Sequence, residues 1–152
     1  MVGEIDFTNQ DLEQQLGLTS NNNYSRTALL GAIASKQAVK DSGILDINAH
    51  KTGLISATSV GGMDMTERYY YDYLEDKSTQ KYIEGHHAGD STQKIAAQLG
   101  IDKSLVTTIS TACSSAANSI MLGARLIKSG QLDRVVVGGT DCLSKFTING
   151  FK

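Results

Sequence analysis

"TTISTACSSAANSIMLG", residues 107–123, decides how this chain is built. Its first part is β-branched and hydroxylated, the composition of a strand. From 114 to 129 small and apolar residues take over, at Ala116, Ala117, Ile120, Met121, Ala124 and Ile127, with Gly130 as a stop. Only Asn118, Arg125 and Lys128 form a polar stripe, so the helix is expected to be buried almost all round. Cys113 stands at the joint. The first N–H groups of a helix are unpaired and carry partial positive charge, which favours a thiolate, the nucleophilic form of the side chain. The same donors suit a developing oxyanion, and Ala112, Ser114 and Ser115 are small enough to let a carbonyl approach. These residues alone fit a second reading equally: a small buried hydrophobe, the usual state of an unpaired cysteine.

Working outward, "SLVTTIST" (104–111) reads as the strand before the joint, and "DRVVVGG" (133–139) as a strand covered on both faces. "TGLISATS" (52–59) is a third strand, which leaves through "VGGMD" (60–64). Apolar residues at Leu29, Ile33, Ala34 and Ala38 predict a helix from Tyr24 to Asp41, with "SNNN" (20–23) as its lead-in and Gly43 as its stop. "MTERYYYDYLED" (65–76) reads as helical. "GDSTQKIAAQLG" (89–100) does too, with Asp90 and Gln93 as a capping box and Gly100 as its end. Residues 1–22 are polar and poorly patterned. The alternation of helices and strands predicts an α/β domain with a largely parallel sheet.

Composition narrows the function classes. The chain has 152 residues, 40% hydrophobic and 20% charged, with a net charge of −2, the profile of a globular domain. It has no basic stripe for nucleic acid, no apolar run long enough for a bilayer, and no signal-peptide pattern. Cys113 and Cys142 do not make a disulfide framework, which points to a reducing, cytoplasmic setting. With His50, His86 and His87 they match no metal-ligand spacing. The glycine pairs at 61–62 and 138–139 form no dinucleotide fingerprint. "EGHHAGDS" reads as a loop before a capped helix, Cys142 as a structural thiol, and Arg26 and Arg125 as solvated or ion-paired. The tyrosines of 69–73 suit packing or partner contact.

"STACSSAANSI" resembles the nucleophile motif of the β-ketoacyl-acyl carrier protein synthases, the ketosynthases of fatty-acid and polyketide assembly. "VGEI" (2–5), "SRTALLGAIASKQAVKDSGI" (25–44), "TGLISATSVGGMDMTE" (52–67) and "GQLDRVVVGGTDCLSKFTINGF" (130–151) resemble the same family in order and spacing. The resemblance weakens over Arg68 to His87. It implies a thiolase-like fold of two similar α/β halves, each with a mixed, mostly parallel sheet. It makes Cys113 the residue acylated by a carrier protein or coenzyme A. A carrier-bound malonyl unit then loses carbon dioxide and attacks that thioester, giving a 3-oxoacyl chain longer by two carbons. No metal or redox cofactor is implied. Val60 and Phe151 align with positions lining the acyl pocket, and ordinary core packing is the other reading of both.

The resemblance also implies what residues 1–152 lack. Family members are more than twice as long, and their two catalytic histidines lie in the second half. Their first strand, central in its sheet, should precede "VGEI". The chain is therefore expected to be an incomplete N-terminal half, with the strands at 52–58 and 133–139 flanking a missing neighbour. It is expected to fold poorly and to condense nothing by itself. Family enzymes are dimers, and "VTTIST" (106–111) corresponds to the strand that pairs across the axis. A homodimer follows, or a heterodimer with a related subunit. A non-catalytic, chain-length-factor-type partner is the alternative function, against which the retained cysteine argues.

Overall fold

The computed structural model describes residues 3–151, so Val2 of "VGEI" lies outside the described residues. Three strands form one parallel sheet: β1 (Thr52–Ala57) in the centre, β2 (Val106–Ile109) on one side and β3 (Arg134–Gly139) on the other. The helices are α1 (Asn9–Leu16), α2 (Arg26–Asp41), α3 (Met63–Asp76), α4 (Gln80–Ile83), α5 (Ala88–Leu99), α6 (Ser115–Lys128) and α7 (Lys145–Gly150). Short 3-10 turns at Glu84–His86 and Ala112–Ser114 precede α5 and α6.

Register explains the two faces of the sheet. Leu54 pairs with both Val106 and Val136, so these three share one face. That face meets Leu29 and Ala32 of α2 and Ile95 and Ala96 of α5, and the cluster continues to Leu12 and Leu16 of α1. Ile55 and Val137 pair on the opposite face, which α6 covers. A Cβ at Gly123 would lie 2.7 Å from Val137 and 2.9 Å from Val135, so only glycine lets α6 approach this closely.

Several expectations are corrected. β1 and β3 pair directly over their whole lengths, so neither leaves the unpaired backbone between them that a missing neighbour was expected to leave. Among the described residues the sheet's unpaired edges are instead those of β2 and β3, and its centre is continuous. β3 is half-buried rather than covered on both faces, because its outer edge carries no strand among the described residues. α6 is not buried all round. Its buried stripe is Ser115, Ser119 and Gly123, one small residue per turn, which seats the helix tightly on the sheet. The large apolar side chains therefore point away, leaving Ile120 57% and Met121 50% exposed.

Smaller corrections concern caps. Residues 1–22 hold a helix after all: Thr8 and Asp11 form a capping box on α1, and Gly17 closes it in the left-handed region. α5 begins at Ala88 with His87 as its cap, so Asp90 is inside the helix and pairs with Lys94 at 2.6 Å. Lys94 also donates to the carbonyl of Asn23. Arg26 is ion-paired, with Glu4 at 3.6 Å, and it is also a clamp: its guanidinium donates to the carbonyls of Ile5 and Phe7 and to Asn9, pinning the N-terminal segment to α2. α2 starts from a Ser25 cap and ends before Gly43, close to its expected span.

Candidate active site

All three strands run the same way, so their carboxyl ends open at one edge of the sheet, where ligands bind in open parallel sheets. After β2 the chain turns sharply. Ala112 takes φ +52, a left-handed conformation that an L-residue adopts only when its surroundings hold it there. Ser115 does the holding: its Oγ accepts from the Thr111 N–H and donates to the Ala112 carbonyl, both at 2.7 Å. Asn118 braces the outside by donating to Thr111 Oγ1 at 2.8 Å, and Ser114 Oγ donates to the Thr111 carbonyl at 2.8 Å. This frame thrusts Cys113 outward, and its thiol is exposed rather than packed in the core. The N–H groups of Ser114 and Ser115 bond back to Thr111 and Ala112. That of Cys113 lies at the start of the turn, where a helical start leaves donors without an internal partner.

A pocket of about 300 Å³ opens over Cys113. The loop after β1 contributes Ser59 and Val60, the loop after β3 contributes Asp141, α7 contributes Phe146, and Phe151 follows just past its end. The structure thus brings together the three residues singled out in sequence, Cys113, Val60 and Phe151, around one mostly apolar space. Sequence reasoning missed Asp141. Its Oδ1 accepts from the backbone N–H of Ser59 and of Val60, each at 3.0 Å, and from the Thr58 hydroxyl. Thr58 Oγ1 in turn accepts from the Gly61 N–H at 3.0 Å. The available signal was a carboxylate directly after a strand's glycine exit, in "VGGTDC".

The other candidates stand elsewhere. His86 Nδ1 is 2.9 Å from Thr66 Oγ1, and His87 Nδ1 accepts from the Gly89 N–H at 3.0 Å; neither lines the Cys113 pocket. A larger cavity of about 520 Å³ lies between residues 3–7, α2 and the exit of β3, and it touches Cys142. Burial, reinforced by the neighbouring Asp64, pushes the Cys142 thiol up to about 11, so that cavity offers no nucleophile near neutral pH. Chemistry rather than size therefore selects the Cys113 pocket. Among the described residues no three His, Cys, Asp or Glu side chains converge as metal ligands, and no helix is long and apolar enough to cross a membrane.

Comparison with known proteins agrees with this fold. Solved structures that share the fold include the ishigamide ketosynthase/chain length factor (TM-score 0.79, 22% identity, 88% of this chain and 34% of the other) and a Beta-ketoacyl synthase from Burkholderia phymatum STM815 (TM-score 0.69, 20% identity, 84% and 32%). In sequence the chain is 27% identical to the tetracenomycin polyketide synthase ketoacyl synthase alpha subunit of Streptomyces glaucescens, over 99% of its own length and 38% of the relative's. It is 31% identical to Nodulation protein E of Rhizobium meliloti (strain 1021), over 76% and 30%. It is 26% identical to 3-oxoacyl-[acyl-carrier-protein] synthase 2 of Staphylococcus aureus, over 99% and 38%. The chain therefore spans less than two fifths of these relatives' length. Its α/β fold is the thiolase-like one over their N-terminal part. Residues 3–152 match the family described as "Beta-ketoacyl synthase, N-terminal domain", and the chain belongs to that family.

Proposed function

We propose that this chain carries the acyl-accepting part of a 3-oxoacyl-[acyl-carrier-protein] synthase, with Cys113 as nucleophile. The observation that carries the reading is the exposed thiol of Cys113, set on a braced strand-to-helix turn and opening into an apolar pocket. The Cys113 sulfur attacks the carbonyl of an acyl thioester held on a carrier protein or coenzyme A. The N–H at the start of the turn faces the developing oxyanion. The carrier's sulfur leaves and takes up a proton, and the acyl chain stays on Cys113 with its tail among Val60, Phe146 and Phe151. In the second half-reaction a malonyl thioester loses carbon dioxide, and the resulting carbanion attacks the acyl-cysteine. The thiolate of Cys113 is released, and the product is a 3-oxoacyl chain two carbons longer. The family's decarboxylating histidines fall beyond the span matched here, so the first half-reaction is the one assigned to these residues.

Working partners follow from the same reading: acyl and malonyl carrier proteins, a cytoplasmic setting, no metal or redox cofactor, and a dimer. β2 has an outer edge with no strand paired to it among the described residues, where a second subunit would continue the sheet. Homodimer and heterodimer both fit that edge. The match to a ketosynthase/chain length factor supports the heterodimer, and with it the alternative of a non-catalytic partner. The accessible Cys113 supports the catalytic subunit instead. The test is stoichiometric: mix the protein with an acyl-coenzyme A and titrate the free coenzyme A thiol. One equivalent released per chain is expected. Release below a tenth of an equivalent would support the non-catalytic partner.

A further inference from the structure

Among the described residues Asp141 is the one carboxylate in the wall of a mostly apolar pocket, which it shares with the hydroxyls of Ser59 and Thr147, and its bonding is lopsided. One oxygen, Oδ1, takes all three recorded hydrogen bonds, from Thr58 Oγ1, the Ser59 N–H and the Val60 N–H. Those donors belong to the loop leaving β1, whereas Asp141 belongs to the loop leaving β3. Thr58 is buried, and it passes the link on by accepting from the Gly61 N–H. Among the described residues the Ser59 and Val60 N–H groups have no other acceptor, apart from a longer bond, 3.3 Å, from Val60 to Thr58 Oγ1. Without Asp141 the loop that carries Val60 would lose its main tie to the rest of the pocket. Val60 and Cys113 line that space together.

We infer that Asp141 is a positioning residue: its Oδ1 clamps the β1 exit loop so that Val60 forms a fixed wall for the acyl chain bound at Cys113. The clamp needs an acceptor oxygen at that point, not a negative charge, because two of the three donors are neutral backbone amides and the third is a hydroxyl. The inference rests on the acyl-pocket reading above and adds a residue that neither the motif nor the pocket's apolar lining explains.

The test uses two alkylating reagents on the intact 152-residue chain, iodoacetamide and N-octyliodoacetamide, with the rate at Cys113 followed by mass spectrometry. The ratio of the two rates reports how well the pocket holds an alkyl chain. The wild type is expected to prefer the octyl reagent. Asp141→Ala should lower that preference by about tenfold, because a wall displaced by an ångström forfeits most of the positioning gain. Asp141→Asn, which keeps an acceptor oxygen, should stay within about twofold of wild type. Thr58→Val keeps the side-chain volume and removes the hydroxyl, and should fall between the two. Protection of Cys142 is the internal check on folding, since a general loosening would expose it and speed both reagents alike. If Asp141→Ala fails that check, Asp141→Asn against Thr58→Val carries the comparison. An Asp141→Ala protein that is folded and keeps the octyl preference overturns the clamp and leaves the acyl pocket standing. So does an Asp141→Asn protein that loses the preference as Ala does. A wild type with no preference overturns the pocket reading and the clamp together.

Discussion

Ala112 is the place to test whether the nucleophile turn is held against its own backbone preference. Its φ of +52 lies in the left-handed region, and its side chain is exposed, so a substitution there acts on the backbone rather than on packing. The left-handed conformation costs an L-residue about 1–2 kcal/mol, and glycine does not bear that cost. Glycine also gains freedom in the unfolded chain, which offsets about 0.4–1 kcal/mol of the benefit. Ala112→Gly should therefore stabilise the fold by about 0.5–1 kcal/mol. At roughly 2–4 °C per kcal/mol for a chain of this size, that raises Tm by about 1–4 °C. Ala112→Val should act in the opposite sense, because a β-branched residue at positive φ is an outlier, and Tm should fall by several degrees. The assay is thermal unfolding by circular dichroism on all three proteins in one buffer. A valine variant as stable as wild type, or a glycine variant that melts earlier, would refute the claim that this turn stores strain.

Two further predictions concern the neighbourhood of the site. A Cβ at Gly62 would fall 2.0 Å from the Gly85 carbonyl oxygen and 2.7 Å from its carbon, both backbone atoms. Gly62→Ala should thus cost about 3 kcal/mol and lower Tm by about 6–12 °C, against a smaller loss for Gly100→Ala, where a Cβ meets open space. Cys142 gives a pH dependence. Its folded pKa is raised from 9.0 to about 11, so the unfolded chain gives up the thiol proton first. The Cys142 contribution to stability should be level below pH 9 and fall as pH rises from 9 through 11, and denaturant titrations of Cys142→Ala should lack that part of the slope.

Local chemistry was the legible part of the sequence. The joint at Cys113, the stops at Gly43 and Gly100 and the C-terminal end of α3 were written in short-range residue patterns, and the structure has them there, although α3 starts two residues earlier than expected, at Met63. Long-range order was not. Which strand lies in the centre depends on pairing between segments some eighty residues apart, Thr52 with Arg134 and Ala57 with Gly139, and periodicity carries no information about that. The burial of α6 misled for a related reason. A helix with apolar residues on most sides fits burial, but here the small stripe Ser115, Ser119 and Gly123 seats it and the larger side chains face outward. Of the site, Cys113, Val60 and Phe151 came from the motif and the family resemblance, and the structure gathers them. The carboxylate of "VGGTDC" gave Asp141 a signal but not a role, because its role lies in three donors from another loop. The histidine pair showed the reverse: conspicuous in sequence, and occupied in the structure with a threonine and a helix cap.

The central claim is that Cys113, and not Cys142, receives an acyl group. The most direct measurement is to incubate the protein with an acyl-carrier protein or an acyl-coenzyme A near neutral pH, digest it, and map the thioester by mass spectrometry. The expected result is one hydroxylamine-labile acyl group on the peptide containing Cys113, lost in Cys113→Ala and kept in Cys142→Ala. Acylation that persists in Cys113→Ala, or that moves to Cys142 in the folded protein, would contradict the account.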